Sequence, residues 1–187
     1  MAVEIEAKMK VETHDDVRAK LHEHAAEHVG TYREVNRIFD TEDRSLLAGD
    51  QGLRLRARHD ADGNAAFTLT YKGPRRHSKL KSREEIEMGV TDIDAATSLL
   101  EALGYGLVLS FEKRRDTFSL GGCLVELDEL PHLGTYVEVE GPDEASVLQL
   151  REQLGLSDHA IVKASYPAML LSHMQEEGIT QNDVSFA

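Results

Sequence analysis

The chain has 187 residues, 41% of them hydrophobic and 29% charged, with a formal net charge of −13. That length suits one domain with an ordinary buried core; no apolar run approaches a membrane span, and the lone Cys123 excludes an internal disulfide and a thiolate metal cluster. The acidic balance argues against a non-specific nucleic-acid binder, despite the basic stretch Arg75-Arg76-His77-Ser78-Lys79-Leu80-Lys81.

A first strand is expected from residue 2, because Glu4-Ile5-Glu6-Ala7-Lys8 alternates ionisable with apolar residues and period two puts Glu4, Glu6 and Lys8 on one face. A strand starting there leaves no room for a signal peptide, so a soluble, cytoplasmic protein is expected. Thr13 with Asp16 resembles a capping box, and Val17, Leu21 and Ala25 predict a helix running towards Gly30. His24 and His28, four apart on that helix, read as a solvated face and not as a metal site. The segment Tyr32 to Phe39 reads as a second strand ending near Asp40, followed by a helical turn around Ser45 to Ala48.

Strands near 52–59 and 65–72 are joined by Asp60-Ala61-Asp62-Gly63-Asn64, whose residues tolerate hairpin backbone angles. Gly73-Pro74 is expected to end the second of these, and the basic loop 75–81 to form a lid before a strand at 82–88. Thr91 to Asp94 opens a helix with Ile93, Ala96, Leu99, Leu100 and Leu103 on its apolar face and Gly104 as its stop. Strands at 107–119, 123–129 and 134–140 follow, then Gly141-Pro142 and a helix ending near Gly155. Ser165-Tyr166-Pro167 starts a last helix carrying Met169, Leu170 and Met174. The organisation is therefore one domain over 1–175 and a polar, frayed tail over 176–187.

Alternating charge recurs in Arg54-Leu55-Arg56-Ala57-Arg58, Thr68-Leu69-Thr70-Tyr71-Lys72, Arg83-Glu84-Glu85-Ile86-Glu87, Lys113-Arg114-Arg115, Glu126-Leu127-Asp128 and Glu138-Val139-Glu140. A closed antiparallel barrel would bring such rows together around a wet, polar interior; an open α+β sheet fits the same element order. Basic residues inside suit a polyanion, and neighbouring carboxylates suit hard divalent cations that bridge it, as with phosphate chains and magnesium.

These residues resemble the CYTH family, the triphosphate tunnel metalloenzymes. Glu4-Ile5-Glu6-Ala7-Lys8 is similar to the family's Glu-x-Glu-x-Lys signature. Leu53-Arg54-Leu55-Arg56, Thr70-Tyr71-Lys72-Gly73-Pro74, Ser82-Arg83-Glu84-Glu85-Ile86-Glu87, Lys113-Arg114-Arg115, Leu127-Asp128-Glu129, the run Leu133 to Glu140 and Lys163-Ala164-Ser165-Tyr166 follow in the family's order. The Tyr-Lys-Gly-Pro and Arg-Glu-Glu-Ile-Glu segments look most like the class IV adenylyl cyclase branch. Asn36 and Ile38 depart from it, standing where many relatives have an aspartate and an aromatic.

The resemblance implies a mainly β, α+β fold: an eight-stranded antiparallel closed tunnel with helices outside. It implies Lys8, Arg54, Arg56, Lys72, Arg83, Lys113 and Arg115 as triphosphate-binding residues, Glu4, Glu6, Asp128, Glu138 and Glu140 as ligands for Mg2+ or Mn2+, and Lys8, Glu6 and Glu138 as the catalytic core. Glu85 and Glu87 are second choices for the metal, or simply partners for arginines. The expected reaction is ATP to cyclic AMP and pyrophosphate. The alternatives are a triphosphatase acting on inorganic tripolyphosphate, thiamine triphosphate or nucleoside triphosphates, and a non-catalytic polyphosphate or nucleotide sensor. A homodimer through exposed edges or the terminal helix is expected, with neither nucleic acid nor membrane as partner.

Overall fold

A computed structural model describes residues 2–76 and 80–187. The elements in chain order are β1 (Ala2–Val11), α1 (Asp15–Glu23), β2 (Glu27–Asp40), α2 (Ser45–Ala48), β3 (Gly52–Asp60), β4 (Ala65–Arg75), β5 (Lys81–Val90), α3 (Ile93–Ala102), β6 (Gly106–Leu120), β7 (Cys123–Leu130), β8 (Gly134–Glu140), α4 (Glu144–Gln153), α5 (Tyr166–Glu176) and β9 (Asp183–Val184). The order around the sheet is β2-β3-β4-β5-β1-β8-β7-β6-β9, and pairing of β2 with β6 closes it. The result is the closed eight-stranded antiparallel barrel, with the two-residue β9 laid parallel against β6. The centre of the basic loop expected to act as a lid, including Lys79, lies outside the described residues. No helix among the described residues is long and apolar enough to cross a membrane.

Alternation along the strands sorts side chains between two environments. On β1, Ala7 and Met9 face outward and are buried with Val125 and Val139 beneath α1, through Val17 and Leu21, and α4, through Val147 and Leu150. Glu4, Glu6 and Lys8 of the same strand line the interior. On the opposite side α3 covers Phe39 and Leu55 with Leu100. One end of the interior is filled: Leu109, Phe111, Leu130 and Tyr136 pack against Tyr166, Leu170 and Met174 of α5. Met174 is thus buried and offers no surface to a partner.

Several local expectations are corrected. The N-cap of α1 is His14, which makes no side-chain capping bond, and the helix ends at Glu23 instead of continuing to Gly30. Long pairing with β6 draws the following residues into β2, where Glu27 faces Ser119 and Gly30 sits at a register shift. His24 and His28 therefore do not share a helix. β4 continues past Gly73-Pro74 to Arg75, because an irregularity between Lys72 and Arg75 removes the need for a proline N–H. The C-terminal segment is not frayed: Val184 is buried, Asp183 and Val184 pair with Ser110 and Phe111, and the Arg114 guanidinium lies 4.0 Å from the centre of the Phe186 ring.

Candidate active site

The unfilled part of the barrel is a cavity of about 1000 Å³. Its walls differ in character. Arg54, Arg56 and Arg58 on β3, Lys72 on β4 and Lys81 and Arg83 on β5 make a basic wall, whereas Glu4, Glu6, Glu126, Glu138 and Glu140 on β1, β7 and β8 make an acidic one. Ile38, Phe39, Leu46, Leu53, Val108, Phe111 and Leu171 form an apolar surface beside them.

Register explains the convergence. Glu4 stands opposite Arg83 and Glu6 opposite Lys81 across β1 and β5, while Glu6 faces Glu140 and Lys8 faces Glu138 across β1 and β8. Lys81 pairs with Glu6, and Lys72 pairs with Glu85 and lies 3.4 Å from Glu4. Lys8 Nζ donates to the Ala164 carbonyl at 2.5 Å, lies 3.9 Å from Glu138 and sits 4.1 Å from the centre of the Tyr166 ring. Arg54 donates to Thr70 at 3.2 Å, and its Nε and that of Arg83 are buried without hydrogen-bond partners among the described residues.

Deeper in the barrel, Arg115 is the hub. Its Nε and Nη2 donate to Asp128 at 2.6 Å each, Nη2 also reaches Glu138 at 2.6 Å, and Nη1 pairs with Glu126. Asp128 further accepts from Tyr166 OH at 2.9 Å and Lys113 Nζ at 3.3 Å. A metal role for Asp128 would require breaking these contacts. Beneath them, Glu34 lies 3.1 Å from Arg56 and 3.2 Å from Lys113.

The charges are unevenly balanced. Burial opposes ionisation of Glu138 and of Glu34, yet the facing cations, led by Arg115 for Glu138 and Lys113 for Glu34, hold both carboxyls well below the usual range. Burial, with Asp128 and Glu138 nearby, pushes Glu126 up to about 8 despite Arg115. Burial and the charges of Glu4, Glu6 and Glu85 push Glu140 up to about 7, and Glu4 and Glu6 are raised by burial first. Burial lowers Lys8 and Lys72, and the nearby Arg54 charge adds to the effect on Lys72.

A model of the CYTH domain matches residues 2–166. The chain belongs to the CYTH family. It is 31% identical over 159 residues to adenylate cyclase CyaB of Aeromonas hydrophila, covering 80% of this chain and 76% of that protein. It is 27% identical over 173 residues to a Methanocaldococcus jannaschii protein provisionally named an adenylate cyclase, covering 88% and 96%. Among solved structures, a Pyrococcus horikoshii protein superposes with a TM-score of 0.78 at 27% identity, covering 91% of this chain and 99% of that one. A Hippeastrum protein with a dominant triphosphatase activity shares the fold at a TM-score of 0.71 and 22% identity, covering 92% and 96%.

Among the described residues of this CYTH barrel, no three His, Cys, Asp or Glu side chains are gathered closely enough to hold a metal ion as they stand. The donor set nevertheless fits a hard cation: Glu4, Glu6, Glu85 and Glu140 are oxygen donors whose mutual repulsion a divalent ion would relieve. The barrel brings together every triphosphate-binding residue expected from sequence: Lys113 and Arg115 at its deep end, Lys8 on β1 opposite Glu138, and the others along the basic wall. Lys81, Glu126, Glu34, Asn36 and Tyr166 belong to the same network and were missing from the expected set. For Glu126 the signal was present in the alternation Glu126-Leu127-Asp128; for Lys81 it was masked by reading the residue as loop.

Proposed function

We propose that this CYTH protein is a divalent-metal-dependent enzyme acting on a nucleoside triphosphate, an adenylyl cyclase that converts ATP to cyclic AMP and pyrophosphate. The observation that carries the reading is the three-part wall of the cavity: basic and acidic surfaces for a metal-bound triphosphate, and an apolar surface of Ile38, Val108 and Phe111 for a base. The 31% identity to adenylate cyclase CyaB supports it.

In this reading Lys8, Arg54, Arg56, Lys72, Arg83, Lys113 and Arg115 hold the triphosphate, with Lys81 added. Its roughly four negative charges replace the carboxylates that now engage several of these cations. Glu4, Glu6 and Glu140 would hold Mg2+ or Mn2+, with Glu85 beside them, Glu138 and Asp128 joining only where they leave Arg115. The bound ion would supply Lewis acidity at a phosphoryl oxygen and a lower pKa for a coordinated hydroxyl. For cyclisation the ribose 3′-hydroxyl gives its proton to water and its oxygen attacks the α-phosphorus, the bond from that phosphorus to the bridging β-phosphate oxygen breaks, and the basic wall takes up the charge that develops on pyrophosphate. Glu6, paired with Lys81 where the acidic and basic walls meet, and Lys8 and Glu138, which face each other across β1 and β8, form the catalytic core of the proposal.

A triphosphatase is the second reading. The charged walls alone serve any triphosphate, and the same fold carries that activity in the Hippeastrum protein. Purified protein with ATP or tripolyphosphate, with magnesium, with manganese and without metal, separates them by phosphorus NMR and chromatography. Cyclic AMP with pyrophosphate establishes the cyclase. Orthophosphate from tripolyphosphate with ATP intact establishes the triphosphatase, and binding without any turnover establishes a sensor.

A further inference from the structure

Asn36 is fully buried, lines the cavity, and has an amide nitrogen without any hydrogen-bond partner among the described residues. Its orientation is fixed from outside: Arg56 Nε is a donor, so the atom it meets at 2.8 Å must be Oδ1, which leaves Nδ2 and its two protons directed elsewhere. Burying a donor without an acceptor is costly, so a donor kept free inside a ligand-sized cavity calls for an acceptor that enters the cavity.

The position of Asn36 says which part of the ligand. It faces Arg56 across β3 and Phe111 across β6, and the next inward residue, Ile38, faces Arg54 and Leu109. Asn36 therefore stands at the seam where the basic wall gives way to the apolar one. A phosphate would be taken by the arginines; what lies just beyond it is the sugar or the base. We propose that Asn36 is a specificity-determining residue, its Nδ2 donating to an acceptor on the nucleoside part of the substrate. With Oδ1 held by Arg56, the side chain offers the nucleoside a donor. This rests on the nucleoside triphosphate reading above.

Titration calorimetry of the full chain with ATP and with tripolyphosphate, each with magnesium, tests it in Asn36→Asp. The aspartate keeps the acceptor for Arg56 and removes the donor, while its added charge acts on both ligands through their phosphates. Loss of the donor is expected to weaken ATP about tenfold more than tripolyphosphate. An equal fall for both ligands, or no fall, overturns the assignment while leaving the triphosphate site standing. Failure of the parent protein to bind either ligand overturns the site and the assignment together. If Asn36→Asp does not melt cooperatively, Asn36→Leu, uncharged and similar in size, is measured against the same ratio.

Discussion

Glu34→Gln probes how the cationic end of the barrel is held together. Glu34 is almost fully buried, with its carboxylate 3.1 Å from Arg56 and 3.2 Å from Lys113. At an effective dielectric near 20 each attraction is worth about 5 kcal/mol, and desolvation of the three ions takes back several kcal/mol. Removing one partner of a buried pair leaves the others uncompensated, at a net cost of about 3–5 kcal/mol. With a urea m-value of about 2 kcal/mol/M, the unfolding midpoint should fall by roughly 2 M. Tripolyphosphate should raise the variant's midpoint more than the parent's, because the freed cations accept a new anion. The pH dependence has a definite sign. Although burial favours protonation, the cations depress the folded-state pKa of Glu34, so its contribution is present above the unfolded value near 4.3 and is lost as pH falls towards the folded value. The gap between parent and variant should therefore narrow below about pH 4. A variant whose midpoint stays within about 0.3 M of the parent at neutral pH would refute the reasoning.

Lys8→Ala and Glu6→Ala should each lower turnover at least about a hundredfold while circular dichroism melts stay cooperative; unchanged rates would remove both from the site. Chelation with EDTA should abolish turnover and magnesium or manganese restore it, and persistent activity in EDTA would rule out the metal. Val184→Ala should cost about 2 kcal/mol in urea unfolding, since Val184 is buried between β6 and α5; an unaltered midpoint would mean that the C-terminal strand does not support the barrel.

How far the fold was legible depends on the strand. On β1 the odd positions Ala7 and Met9 are apolar and the even positions Glu4, Glu6 and Lys8 are ionisable, so the two faces are distinct and both were assigned correctly. On β2 they are not distinct: Glu34 and Asn36 alternate with Arg33, Val35 and Arg37, and both faces carry charge. Arg33 turns outward to Glu112, and Arg37 outward to Thr97 and Asp94 of α3, arrangements that depend on distant segments. Alternation alone left Glu34 and Asn36 without a side. Strand number and closure came from family resemblance, because the pairing of β2 with β6 joins residues about 80 positions apart. The β9 contact was illegible for a related reason: two residues carry no periodicity, and their pairing depends on a free stretch of β6.

The helix α5 that fills one end of the barrel changes what the word tunnel means for this molecule. Tyr166, Leu170 and Met174 meet Leu109, Phe111, Leu130 and Tyr136 in an apolar plug at that end, with Tyr166 and Phe111 also bordering the cavity. With that end plugged, the proposed substrate would enter and leave by the side that the plug leaves open. Under the proposed reaction, traffic becomes a queue: a spent anion still gripped by the arginines would block the next arrival, and the pace of the cycle would be set by departure as much as by bond breaking.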